Sequence, residues 1–342
     1  MQLLNTLYVT TPDAYLRLDN DTISIKVEDE VKLRVPIHHV GSVVCFGNIG
    51  FSTPLMHRLA MDGVGLVMLD ANGRFKARLE GGVSGNVLLR QAQHQRAVDT
   101  AAILGIARSC VAGKIKNSRQ VLLRGAREAK GEEDAAALTR AADNLAASLR
   151  ALPGATDIDV VRGIEGEAAR NYFQALNLLV REDLRAVFQL DGRTRRPPRD
   201  RFNAMLSFLY SMVMNDCRSA CEAAGLDPQV GFLHVLRPGR AALALDLMEE
   251  FRPFADRLAL TLINRGQVGE KDFAEREGGA VLLEGDARKA VVVAYQERKQ
   301  EELTHALLAQ SVPMGVLPLV QARLMARAIR GESEGYLPFL MR

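Results

Sequence analysis

Hydrophobic and polar positions change rhythm once along this chain. Up to residue 82 the apolar residues come in short or alternating runs, at 3–9, 14–18, Thr22–Val27 and 40–46, each bounded by turn chemistry. Asp19-Asn20-Asp21 is one such turn. Asn72-Gly73, between Gly65–Leu69 and Phe75–Leu79, predicts a hairpin, because both residues tolerate the positive φ of a tight turn. One helix interrupts the strands: Ser52 can cap it, Pro54 suits its first turn and Gly63 ends it. Further on, apolar residues recur at three- and four-residue spacing in 87–109, 134–151, 165–181, 201–224 and 285–309, which predicts long helices. Pro153-Gly154, Asp191-Gly192, Pro197-Pro198, Gly225, Pro228 and Pro238-Gly239 break the pattern between them. The glycine-rich stretch 80–86 reads as a linker. The expected fold is α+β, with a small β-rich N-terminal domain over 1–82 and a larger all-α C-terminal domain over 87–342.

Composition narrows the class. With 342 residues, 48% of them hydrophobic, the chain can bury a core in each of two domains. The N-terminus, MQLLNTLYVTTPDAY, has neither a basic leader nor a cleavage site, and no apolar run approaches the roughly 20 residues that span a bilayer. A cytoplasmic protein with no membrane partner is expected. Cys45, Cys110, Cys217 and Cys221 form no C-x-x-C pair and read as buried free thiols of a reducing compartment. The net charge of +3 is unevenly spread: residues 1–84 hold 8 Lys+Arg against 9 Asp+Glu, the remainder 36 against 32. An anionic partner should therefore bind the second part. Walker-A, G-x-G-x-x-G, H-E-x-x-H and G-x-S-x-G motifs are all missing, so ATPase, dinucleotide oxidoreductase, zinc protease and serine hydrolase readings lose their usual support.

Three stretches of the helical part carry candidate chemistry. In Gly163-Ile164-Glu165-Gly166-Glu167-Ala168-Ala169-Arg170-Asn171-Tyr172-Phe173, Glu165 is placed in the N-terminal turn of a helix, where small neighbours let another group approach. The alternative is a glutamate drawn there by the helix dipole alone. In Gly231-Phe232-Leu233-His234-Val235-Leu236-Arg237-Pro238-Gly239-Arg240, His234 is either a hydrogen-bonded core residue or a ligand, and Arg237 and Arg240 beside it suit phosphate. In Ala244-Leu245-Asp246-Leu247-Met248-Glu249-Glu250-Phe251-Arg252-Pro253, a helix would put Asp246 and Glu249 on one face. Two neighbouring carboxylates need a cation; Arg252 is one candidate and a divalent metal the other. Carboxylate oxygens with an imidazole nitrogen make a donor set suited to Mg²⁺ or Mn²⁺. Such an ion can neutralise charge developing on a phosphodiester.

In these stretches the chain resembles the CRISPR-associated adaptation integrase, the universal nuclease of spacer acquisition, in its subtype I-C-like branch. The likeness rests on GIEGEAARNYF, FNAMLSFLYSMVMNDCRSACEAAGLDP, GFLHVLRPGRAALALDLMEEFRP and LINRGQV, in that order, and covers essentially the whole chain. It implies the same two-domain layout and divalent-metal ligands at Glu165, His234 and Glu249. Many members have Asp where this chain has Glu249; Asp246 is kept as a neighbour that binds substrate or orders the site. The resemblance further implies a homodimer paired through the β domains, a small second CRISPR adaptation protein as partner, and double-stranded DNA as substrate. The reaction implied is attack by the 3′-hydroxyl of a captured duplex on a phosphodiester of the CRISPR array, with hydrolysis as the same chemistry using water.

Other features stay open at this point. Lys114, Lys116, Arg119, Arg124, Arg127 and Lys130, and Arg193, Arg195, Arg196, Arg199 and Arg201, are either phosphate-tracking stretches or solvated surface. Tyr172, seven residues from Glu165, either lines the site or fills the core. Two competing functions are a metal-dependent nuclease on branched DNA in repair and a catalytically inactive DNA-binding scaffold.

Overall fold

The computed structural model describes residues 6–71, 73, 75–79, 81, 87–194 and 196–341. Strands β1 (Thr6–Val9), β2 (Tyr15–Asp19), β3 (Thr22–Val27), β4 (Glu30–Pro36), β5 (Ser42–Phe46) and β6 (Gly50–Phe51) precede α1 (Thr53–Met61), β7 (Gly65–Leu69) and β8 (Phe75–Leu79). The helices α2 (Val87–Arg96), α3 (Thr100–Glu128), α4 (Glu132–Ala151), α5 (Ile158–Leu176), α6 (Arg201–Ala223), α7 (Ala242–Met248) and α8 (Arg252–Asn264) follow. A hairpin of β9 (Phe273–Arg276) and β10 (Ala280–Leu283), helix α9 (Gly285–Gln300), a hairpin of β11 (Glu302–His305) and β12 (Gln310–Pro313), and α10 (Leu317–Ile329) complete the chain.

The chain divides into two compact units, Met1–Ser84 with Glu284–Glu301, and Gly85–Leu283 with Glu302–Arg342. In the first unit one sheet runs β1-β5-β7-β8, parallel except for the β7–β8 hairpin. A second runs β4-β3-β2-β6. Leu16 and Ile23 from the second sheet, Val43 and Leu66 from the first, and Leu55 and Leu59 of α1 share one buried core. Ser52 caps α1 by accepting from the Leu55 amide at 3.3 Å, and Gly63 leaves the helix at φ +69°. The β7–β8 hairpin forms as the turn residues predict; of those two, Asn72 lies outside the described residues. So do residues 3–5 of the first strand run and all of the 80–86 linker except Gly81.

The second unit is mostly helical, as expected, and also carries two short hairpins, its only described strands. The stretch 87–109 is not one helix: Asp99 stops α2 and caps α3, accepting from the amides of Ala101 and Ala102 at 3.0 and 3.4 Å. The length of α3 escaped the periodicity because the helix is buried on several sides. Lys114, Asn117 and Ser118 are buried there alongside Val111, Ile115 and Leu122, which blurs the apolar stripe. Helix α5 begins at Ile158 behind the Asp157 cap, so Glu165 lies two turns inside it and not in its first turn. Residues 302–305 leave the helical path expected for 285–309 and form β11. Helix α9, expected in the C-terminal domain, groups with the first unit.

Candidate active site

The site is built on a joint between two helices. Helix α7 ends at Met248, a 3-10 turn covers Glu249–Phe251, and α8 starts at Arg252. Pro253 has no N–H to offer the carbonyl of Glu249, so one continuous helix is disfavoured here. Asp246 lies in the last turn before this joint and Glu249 opens it, and both reach the loop that carries His234.

Asp246 is fully buried and organises that loop. Its Oδ2 accepts from the amides of Phe232 at 2.6 Å and Leu233 at 3.0 Å, while Oδ1 accepts from the His234 amide at 3.0 Å and lies 2.7 Å from His234 Nδ1. A carboxylate can only accept, so Nδ1 carries the proton and donates it. The other ring nitrogen, Nε2, faces Glu249 Oε1 at 3.7 Å. Gly231 makes the close approach possible: a Cβ there would stand 2.6 Å from Ala242 C and 2.7 Å from both Leu243 N and Asp246 Oδ2. Helix α5 grips the same loop, because Arg162 donates from Nε and Nη2 to the Leu233 carbonyl at 2.9 and 2.7 Å.

Glu249 is buried among cations. Arg252 Nε donates to its Oε1 at 2.9 Å, and Lys114 Nζ lies 2.7 Å from its Oε2. Burial alone would raise this carboxyl, but Arg252, Lys114 and His234 outweigh it and hold the group well below the usual carboxylate range. The Lys114 ammonium also donates to Glu165 Oε1 and so bridges the two acids. Arg252 packs its guanidinium 4.8 Å from the centre of the Tyr210 ring. The hydroxyls of Tyr210 and Tyr172 both donate to Asp256, at 2.6 and 2.9 Å; burial pushes that carboxyl up to about 6 although the two hydroxyls pull it down. Tyr172 is thus a core residue facing Asp256. Glu165 opens onto a cavity of about 650 Å³ lined also by Gly166, Ala169, Phe173, Asn177 and Arg193.

The structure therefore brings Glu165, His234, Asp246 and Glu249 together, with Lys114 among them. Arg237 is exposed and Arg240 partly buried. Burial lowers the basicity of Arg240, and the neighbouring charges of Arg237, Arg196 and Arg162 lower it further, so four guanidinium groups share one region beside the His234 loop. The first basic stretch does not act as one surface. Lys114 is buried in the site, Arg119 donates to the Ala142 carbonyl at 3.1 Å and Arg124 pairs with Glu128. In the second, Arg193 is held by Asn203 and Ser207, Arg201 pairs with Glu270, and Arg195 lies outside the described residues.

Sequence reasoning missed Lys114, Asp256 and Tyr210 as parts of this constellation. A lysine between Gly113 and Ile115 in an apolar helix was the one available signal. All four cysteines are buried free thiols.

The model of the family described as CRISPR associated protein Cas1 matches residues 7–297. The chain belongs to the Cas1 family. It is 56% identical to a CRISPR-associated endonuclease Cas1 of Moorella thermoacetica, over 99% of both chains. It is 49% identical to one of Rhodospirillum rubrum, over 99% of this chain and 98% of that one. Among solved structures, a Cas1 protein from Thermotoga maritima has the same fold, with TM-score 0.83 and 23% identity over 97% of this chain and 98% of that one. Among the described residues no helix is long and apolar enough to cross a membrane.

The donor chemistry suits a hard divalent ion. Glu249 Oε2 is buried, with the Lys114 ammonium 2.7 Å away. Among the described residues no three His, Cys, Asp or Glu side chains stand ready-spaced around one point. Glu165 and Glu249 converge instead on the ammonium. Two carboxylates and an imidazole nitrogen are nevertheless a donor set such an ion takes.

Proposed function

We propose that this Cas1-family protein is a Mg²⁺- or Mn²⁺-dependent DNA endonuclease and integrase of CRISPR adaptation. It would insert short foreign duplexes into a CRISPR array by attack of a 3′-hydroxyl on a phosphodiester. Glu165, His234 Nε2 and Glu249 would hold the ion, which when bound supplies positive charge to a phosphate oxygen. Asp246 fixes the His234 tautomer and orientation, as the carboxylate behind a ligating histidine does. Arg162, Arg196, Arg237 and Arg240 would neutralise the backbone of the bound duplex. One phosphodiester replaces another, so no nucleotide hydrolysis is needed, in keeping with the missing Walker-A motif. The working assembly would be a homodimer together with a small second CRISPR adaptation protein.

The observation that carries this reading is the meeting of Glu165 and Glu249 on a single cation, with His234 Nε2 3.7 Å from one of them. It is supported by the 56% identity to a protein named as a CRISPR-associated endonuclease. The test is joining of a short 3′-hydroxyl duplex to a supercoiled plasmid bearing a repeat, with Mn²⁺. Glu165→Ala and His234→Ala should abolish joining and leave DNA binding largely intact. If both variants still join DNA, the site is wrongly assigned; cleavage of branched DNA without any joining would favour a repair nuclease.

A further inference from the structure

Lys114 has no part in the donor set just described, yet it sits at its centre. It comes from α3, is 8% exposed, and reaches oxygens of acids on two other elements, Glu165 in α5 and Glu249 in the turn after α7. The backbone beneath it is fixed. A Cβ at Gly113 would stand 2.7 Å from Pro338 Cβ and 3.3 Å from Glu250 Cβ, so α3 lies directly against the turn that carries Glu249. One turn on, the buried Asn117 donates to the carbonyls of Glu250 at 2.8 Å and Phe339 at 2.9 Å and accepts from the Met341 amide. Only the four-carbon stem of the lysine is free to move, and such a stem has several rotamers. The second cation, Arg252, is anchored differently: it donates to Oε1 of Glu249 and packs on Tyr210, leaving Oε2 and Glu165 to the lysine.

We propose that Lys114 is the built-in counter-cation of the metal-free site, neutralising Glu165 and Glu249 until a divalent ion displaces its ammonium. This inference rests on the metal-dependent reading above. It has two consequences of opposite sign. Without the ammonium, two carboxylates face each other with only Arg252 to offset them, so the metal-free protein loses stability. The ion, in contrast, no longer has to evict a positive charge, so it binds more tightly. A lysine that merely filled space would lower stability without raising metal affinity.

The experiment uses the full chain and its Lys114→Met variant, titrated with Mn²⁺ by calorimetry and followed by thermal unfolding with and without the ion. Expected are a rise in Mn²⁺ affinity of at least about tenfold, from removal of a nearby like charge, a lower midpoint in the absence of metal, and a larger stabilisation by saturating Mn²⁺ than the parent shows. Lys114→Arg keeps the charge and should keep parental Mn²⁺ affinity. If the methionine variant does not fold, Lys114→Gln retains a donor for Glu249 and should give the same rise. A parent that takes up no Mn²⁺ overturns the metal reading itself. A parent that binds Mn²⁺, with a folded neutral variant that binds no more tightly, overturns the role of the lysine alone.

Discussion

Asp246→Asn offers the sharpest test of how the site is held. The substitution changes one atom in a fully buried side chain, so size is constant and only hydrogen bonding is perturbed. The carboxylate accepts from three backbone amides and the His234 ring, two donors on each oxygen. A carboxamide accepts at one end only. If its NH₂ replaces Oδ2, it faces the amides of Phe232 and Leu233, and two hydrogen bonds to a charged acceptor are lost. At about 1.5–3 kcal/mol each, the loss is about 3–6 kcal/mol. If NH₂ replaces Oδ1, the His234 amide loses its acceptor, but the ring can recover by moving its proton from Nδ1 to Nε2. The loss falls to about 1.5–3 kcal/mol, and the nitrogen that should face the ion is now protonated.

Both arrangements lower the thermal midpoint, by roughly 2–4 °C per kcal/mol for a unit of this size. The second also removes the imidazole lone pair. Thermal unfolding reads the first effect. Nitrogen-15 spectra of the His234 ring, with Mn²⁺ titration, read the second. A variant with the parental midpoint, an unprotonated Nε2 and unchanged Mn²⁺ affinity would refute the claim that Asp246 positions this histidine.

Three further outcomes follow from the same geometry. Gly231→Ala puts a methyl group against the backbone of Ala242 and Leu243, which cannot swing aside, and should cost about 1–3 kcal/mol in chemical denaturation; parental stability would show that the loop and α7 can part freely. Burial raises the Glu250 carboxyl to about 8, against hydrogen bonds from Tyr336, Phe339 and Gln321. A raised folded value stabilises below the ordinary range near 4.5 and is lost as pH climbs through 8, so the parent should weaken relative to Glu250→Gln over that window; parallel midpoint-against-pH curves would contradict this. Arg237→Ala and Arg240→Ala should each weaken duplex binding for all sequences alike and flatten the salt dependence by about one unit of slope, measured by anisotropy at several ionic strengths; an unchanged slope would remove them from the DNA path.

Strands β1, β2, β3, β5, β7 and β8 and helix α1 were legible because each is decided locally. Asn72-Gly73 can form a tight turn, and Ser52 with Pro54 can start a helix, whatever the rest of the chain does. The boundaries that went astray were set by tertiary contacts. Nothing around residue 110 announces that α3 runs on to Glu128, because its buried faces include Lys114 and Asn117, whose partners lie more than fifty positions away. The start of α5 was signalled by Asp157, an N-cap residue eight positions before the point where the apolar spacing was first counted.

The site divides along the same line. Glu165, His234, Asp246 and Glu249 could be named because acid and imidazole chemistry stands out against apolar neighbours. Which carboxylate does what could not be read from spacing, since Asp246 and Glu249 both meet the i, i+3 rule. In the fold, the protein groups around the two acids differ. Asp246 is surrounded by backbone amides and one ring N–H, none able to leave, so its oxygens are committed to holding the loop. Glu249 is surrounded by side-chain cations, and one of them, Lys114, stands at the end of a flexible stem 2.7 Å from its Oε2. On the proposed reading, the acid that can exchange a partner is the one to take an incoming ion, and the acid that cannot is the one that aims the histidine.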